Sequence, residues 1–125
     1  MADAARPDDK PAATRVAVVQ HNAGTDVEQN LSTLETLSTQ AACEGAQLIT
    51  WAEAFAYLGR HDGKKEILEP LPGGGPILQR CQNLARSLSC DLLLGGFHEA
   101  MPGDTERCYN TSVYINSSGE ITAMY

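Results

Sequence analysis

A chain of 125 residues is one ordinary domain, or part of a larger one, and can bury a core without disulfides or metals. Hydrophobic residues make up 42% and charged residues 20%, which excludes a disordered, collagen-like or coiled-coil chain. The 9 Lys and Arg face 16 Asp and Glu, a net charge of −7, with no basic cluster larger than Lys64-Lys65. That balance excludes a nucleic-acid or anionic-membrane surface, and no apolar run is long enough to span a membrane.

Residues 1–14 are rich in Ala, Pro and Asp and lack periodicity, so they read as a disordered tail. Val16 to Gln20 is a short β-branched run, the pattern of a buried strand. Thr25 and Glu28 have capping-box spacing, with a hydroxyl at the cap and a carboxylate three residues on. Val27, Leu31, Leu34, Leu37 and Ala41 then fall on one helical face, and Gly45 can close the helix in the left-handed conformation. Gln47 to Trp51 is a second strand. Strand, helix and strand with short loops make a βαβ unit, so the two strands are expected to be parallel.

Residues 59–75 form a long excursion containing Gly73-Gly74-Gly75. Pro76 suits the first position of a helix, whose apolar stripe is Ile77, Leu78, Cys81, Leu84, Ala85 and Leu88. Asp91 to Phe97 is a third strand, apolar enough to be covered on both faces. Residues 98–109 read as a polar loop. Thr111 to Asn116 and Glu120 to Tyr125, joined at Ser117-Ser118-Gly119, form a hairpin. Alternation runs unbroken to Tyr125, so residues 15–125 are expected to be the N-terminal part of a domain that continues.

In an open parallel sheet, ligands gather at the carboxyl ends of the strands. The three exits deliver Gln20, His21 and Asn22, then Glu53, then His98 and Glu99. Glu53 is flanked by Trp51, Phe55 and Tyr57, and a carboxylate desolvated by rings is a better general base. Tyr57 and His98 are the candidates for contact with a substrate. The triple glycine ahead of Pro76 either cradles an anion or supplies open backbone angles. It lacks the residues of a P-loop or dinucleotide loop, which sets a nucleotide-binding fold aside. The four cysteines, 43, 81, 90 and 108, form no CxxC pair. With no apolar leader before them, they read as free structural thiols in a reducing, cytoplasmic compartment, with Cys43 and Cys81 as small core residues of their helices.

Val16 to Gln20, Asn30, and Gly45 through Trp51, Glu53 and Phe55 together resemble the opening of the nitrilase superfamily of carbon–nitrogen hydrolases. Leu94 to Glu99, Tyr109-Asn110-Thr111 and Gly119 to Tyr125 match it in order. Ala52 to Phe55, Glu69-Pro70-Leu71 and Gly95 to Glu99 are most similar to the deaminated glutathione amidase branch. The resemblance implies an α/β fold, the first half of an α-β-β-α sandwich. Half a sandwich would leave one sheet face and a strand edge uncovered, which promotes association.

The resemblance also implies a chemistry. A cysteine attacks an amide or nitrile carbon to form a thioester, a glutamate acts as base, a lysine stabilises the anionic intermediate, and a second glutamate assists. Glu53 falls on the base, preceded by Ala52 where relatives usually have Pro. None of the four cysteines falls on the nucleophile. The lysine, second glutamate and cysteine correspond to positions beyond Tyr125. The implied partner is a small-molecule amide substrate, with no metal or cofactor, no nucleic acid and no membrane, and the full-length protein is implied to be a homo-oligomer. By itself the chain is expected to be inactive. The competing reading is a non-catalytic α/β binding or regulatory module.

Overall fold

A computed structural model describes residues 13–125. Most of the expected tail, residues 1–12, lies outside the described part. The elements are β1 (Val16–Val19), α1 (Val27–Cys43), β2 (Leu48–Glu53), α2 (His61–Lys65), α3 (Pro76–Leu88), β3 (Asp91–Met101), β4 (Asp104–Ile115) and β5 (Ile121–Met124). They form one five-stranded sheet in the order β1-β2-β3-β4-β5. The first three strands are parallel, and β4 and β5 run antiparallel to their neighbours. No helix among the described residues is long and apolar enough to cross a membrane.

The βαβ reading holds, and its register places the strand exits. Val19 sits beside Trp51, Trp51 beside Leu94, and Glu53 beside Gly96. α1 packs on β1 and β2, α3 packs on β3, and the two helices touch. Between helices and sheet lie Leu34, Ile49, Leu78, Leu92, Leu94, Val113 and Ile115, each 2% exposed or less. Each such side chain contributes about 1.5–3 kcal/mol on leaving water. The other face of the sheet is bare by comparison. Alternation along β1 turns Val16 and Val18 away from the core, and they are 49% and 75% exposed.

Several local expectations need correction. Asp26, not Thr25, caps α1: its carboxylate accepts from Gln29 N at 3.0 Å. Glu28 instead pairs with Arg80 at 2.6 Å, and Arg80 also grips Glu35 at 2.5 Å, tying α3 to α1. Gly45 does close α1, at φ +93°, with Ala46 N donating to Ala41 O and Gly45 N to Ala42 O. Cys43 is exposed rather than a core residue, whereas Cys81 is buried.

Residues 98–109 are not a loop. β3 and β4 continue past the core as a paired ribbon, with His98 opposite Asn110 and Glu99 opposite Tyr109, turning at Pro102-Gly103. Backbone pairing holds the ribbon, so its side chains can be polar on both faces. The short α2 was not legible either. It is docked on the ribbon through Lys65 to Glu106 at 2.6 Å and His61 Nε2 to the Glu106 carbonyl at 2.6 Å.

Candidate active site

The second strand ends at Glu53, and the chain leaves through Ala54 in a left-handed conformation, φ +52°. The three aromatics around Glu53 in sequence do not enclose its carboxylate. Trp51, Phe55 and Tyr57 are buried in the core while Glu53 is exposed. Trp51 packs against Phe55 in a tilted contact with centroids 5.2 Å apart, and its indole N–H donates to buried Ser38 Oγ at 3.0 Å. The rings therefore anchor the strand end on which Glu53 rides, and do not desolvate the acid.

The loop after Glu53 is held by Asn30, which is 4% exposed. Its Nδ2 donates to the Gly24 and Ala56 carbonyls, both at 2.9 Å, and its Oδ1 accepts from Gly24 N at 3.1 Å. One buried amide thus ties the exits of β1 and β2 together. His21 adds a second tie, Nε2 donating to the Phe55 carbonyl at 3.1 Å. Tyr57, expected to meet a substrate, has its ring buried and its hydroxyl donating to the Arg60 carbonyl at 2.9 Å. That hydroxyl anchors the 57–63 turn.

β3 passes Glu53 through two glycines. A side chain on Gly95 would collide with the Trp51 carbonyl, and one on Gly96 would lie 3.2 Å from Glu53 Cα. The β3–β4 register shifts between Leu94 and Phe97, the mark of a bulge at the same two residues. Past it stands His98, half-buried, its pKa lowered by burial and then by the Lys64 ammonium. A neutral ring can accept or donate a proton near neutral pH. Glu99 is held by Thr111, whose hydroxyl donates to its carboxylate at 2.5 Å. Glu99, Tyr109, Asn110, Thr111, Met124 and Tyr125 line an open cleft of about 380 Å³ over the β3–β4 ribbon.

Of the three glycines, Gly74 supplies an open backbone angle, at φ +70°, and only Gly75 borders an anion, which belongs to the chain. Glu69, 6% exposed, caps α3 through Ile77 N at 2.7 Å and Leu78 N at 2.9 Å. A Cβ on Gly75 would sit 2.8 Å from the Glu69 carboxyl carbon, so the glycine admits that side chain. Glu69 also adds its backbone to the free edge of β3, with Ala100 N donating to its carbonyl at 2.9 Å. The site at this helix N-terminus is therefore filled from within.

None of the four thiols stands beside Glu53 in the register. Cys81 is buried in α3 and burial pushes its pKa far up, which suppresses the nucleophilic thiolate. Cys90 precedes β3 at the far end of the strand from Gly96, its pKa raised by burial and by Asp91. Cys43 ends α1, and Cys108 pairs with Ala100 on the ribbon.

Comparison with known proteins decides the family. The carbon–nitrogen hydrolase family model matches residues 15–125. This chain belongs to the carbon–nitrogen hydrolase family. The deaminated glutathione amidase of Homo sapiens is 38% identical over 113 residues, covering 88% of this chain and 34% of the relative. The NitFhit protein of C. elegans superposes with a TM-score of 0.80 at 25% identity, over 90% of this chain and 28% of that one. Nit3 of Saccharomyces cerevisiae, a member of branch 10 of the nitrilase superfamily, gives 0.78 at 25% identity, over 90% and 43%. The five-stranded sheet with its helices is thus a nitrilase-superfamily fold, and this carbon–nitrogen hydrolase chain spans about a third of the length of the human relative.

Proposed function

We propose that the protein is an amidase that cleaves the non-peptide amide of a small carboxylic acid, of the ω-amidase or deaminated glutathione amidase type, with Glu53 as general base. The observation that carries this reading is the placement of Glu53. It is an exposed carboxylate at a parallel strand exit, facing a side-chain-free stretch of β3, in a chain 38% identical to a deaminated glutathione amidase.

In this reading a cysteine thiol loses its proton to Glu53 and attacks the amide carbon. The amide C–N bond then breaks, ammonia leaves with a proton returned by Glu53, and a thioester remains. Water, deprotonated by the same carboxylate, attacks the thioester and releases the acid and the thiol. Glu53 suits both half-reactions because its carboxylate enters none of the ion pairs among the described residues. The thiol and the lysine that would stabilise the tetrahedral anion come from chain outside these 125 residues, so residues 1–125 alone turn over no amide. His98 lies one step past the bulge and serves as a substrate contact. The intact enzyme works in the cytoplasm as a homo-oligomer.

Ammonia release from a panel of small dicarboxylic monoamides tests the reading. The intact protein should hydrolyse at least one, and residues 1–125 none. Turnover by residues 1–125 that vanishes on mutating Cys43 or Cys108 would overturn the assignment of the nucleophile. An intact protein inert on every amide and nitrile would favour the non-catalytic module.

A further inference from the structure

We propose that Asn110 is a positioning residue for Glu53, its side-chain amide crossing the glycine gap in β3 to donate a hydrogen bond to the Glu53 carboxylate. The inference rests on the amidase reading and concerns how the base of that reaction is aimed.

Three observations meet at Gly96. Glu53 is its register partner on β2, and a Cβ placed on Gly96 would lie 3.3 Å from Glu53 Cβ. The same Cβ would lie 2.5 Å from Asn110 Oδ1. Two side chains from strands on either side of β3 therefore converge on the volume a side chain at Gly96 would have filled. Asn110 belongs to β4 and is opposite His98, beyond the bulge. It reaches back along the sheet toward the exit of β2. Both residues are exposed, and the amide lines the 380 Å³ cleft.

Chemistry selects an amide here. An exposed glutamate has three free torsions and samples orientations useless to a base, which must lie within hydrogen-bond reach of the proton it takes. Asn offers two N–H donors, and turning the carboxamide over Gly96 presents one of them to Glu53. A hydrogen bond to one carboxylate oxygen leaves the other free to accept a proton. Asp in the same place would have the same shape, no donor and a like charge. The glycine is part of the device, because a methyl group at 96 would occupy the path of the amide.

Two measurements test the proposal. In steady-state hydrolysis by the intact protein, Asn110→Asp and Asn110→Ala should each lower kcat about 10-fold or more with KM within twofold, and with unchanged melting. The isosteric Asp keeps any purely structural role, so Asn110→Asp with normal kcat would overturn the proposal. A loss confined to KM would also overturn it, because it would make Asn110 a substrate contact. Independently of activity, the Asn110 side-chain amide is followed by NMR in intact protein labelled with 15N-asparagine. Its resonances should move as a carboxylate titrates in acid, and the movement should vanish in Glu53→Gln. No movement, or movement that survives Glu53→Gln, would overturn the proposal even if the protein proved not to be an amidase. Absence of turnover in the wild type would count against the amidase reading alone.

Discussion

Replacing Glu69 by alanine removes the acceptor for two buried N–H groups at the start of α3. The bonds are 2.7 Å to Ile77 and 2.9 Å to Leu78, from a carboxylate that is 6% exposed. Hydrogen bonds to a charged group contribute about 1.5–3 kcal/mol each, and a buried donor left without a partner costs about 1–3 kcal/mol. The helix dipole adds roughly 0.3–1 kcal/mol for a negative charge at this end. These effects overlap, so the expected loss for Glu69→Ala is about 3–5 kcal/mol, among the larger single-site effects. Glu69→Gln keeps one oxygen but turns an NH₂ group toward one of the donors, and about half that loss is expected. Both variants retain the backbone pairing of residue 69 with β3, so the difference from wild type reports the side chain. Urea unfolding followed by circular dichroism, with amide exchange at Ile77 and Leu78, measures it. If Glu69→Ala lost less than about 1 kcal/mol and left both amides protected, the carboxylate would not be what holds the helix start.

Two further perturbations separate neighbouring explanations. Asp26→Ala should cost about 1 kcal/mol of stability by uncapping α1, whereas Thr25→Ala should cost a few tenths; equal losses in thermal melts would return the cap to Thr25. The lowered pKa of His98 gives stability that is complete above its unfolded pKa, about 6.5, and that is lost as pH falls through the folded value. His98→Gln should therefore flatten the fall in stability just below pH 6.5 in urea titrations at stepped pH, and an unchanged slope would show that His98 does not supply it.

The parts of the fold legible in the sequence are those where periodicity reports burial. The stripes Leu31-Leu34 and Ile77-Leu78-Cys81-Ala85 face the core, and the β-branched and leucine-rich runs are the three parallel strands. Pairing without burial left no such mark, so the polar ribbon from His98 to Tyr109 looked like a loop. The α1 cap was displaced by one residue because Thr25 and Asp26 both carry a suitable oxygen. Glu69 was hidden for a different reason. Its carboxylate caps a helix from eight residues upstream of Ile77, outside the three-residue window of a capping box. At the site, the strand exit located Glu53, but the aromatic neighbours misled, because Trp51 lies within the covered part of β2, the turn at Ala54 carries Phe55 and Tyr57 back into the core, and Glu53 stands exposed at the strand's last position. Asn110 stood only within the Tyr109-Asn110-Thr111 motif. It lies two strands from the base, and its bearing on Glu53 depends on a glycine in the strand between them, which no local pattern conveys.

The most direct test of the account is the rate of monoamide hydrolysis by the intact protein and its Glu53→Gln and Glu99→Gln variants, with circular dichroism as the folding control. Glu53→Gln keeps size and reach but removes basicity, so kcat should fall by about 10² to 10⁴ with folding intact. Glu99, whose carboxylate is already engaged by Thr111, should tolerate the same change with a much smaller loss. Near-normal kcat in Glu53→Gln together with a lost kcat in Glu99→Gln would contradict the account and place the base on the third strand instead of the second.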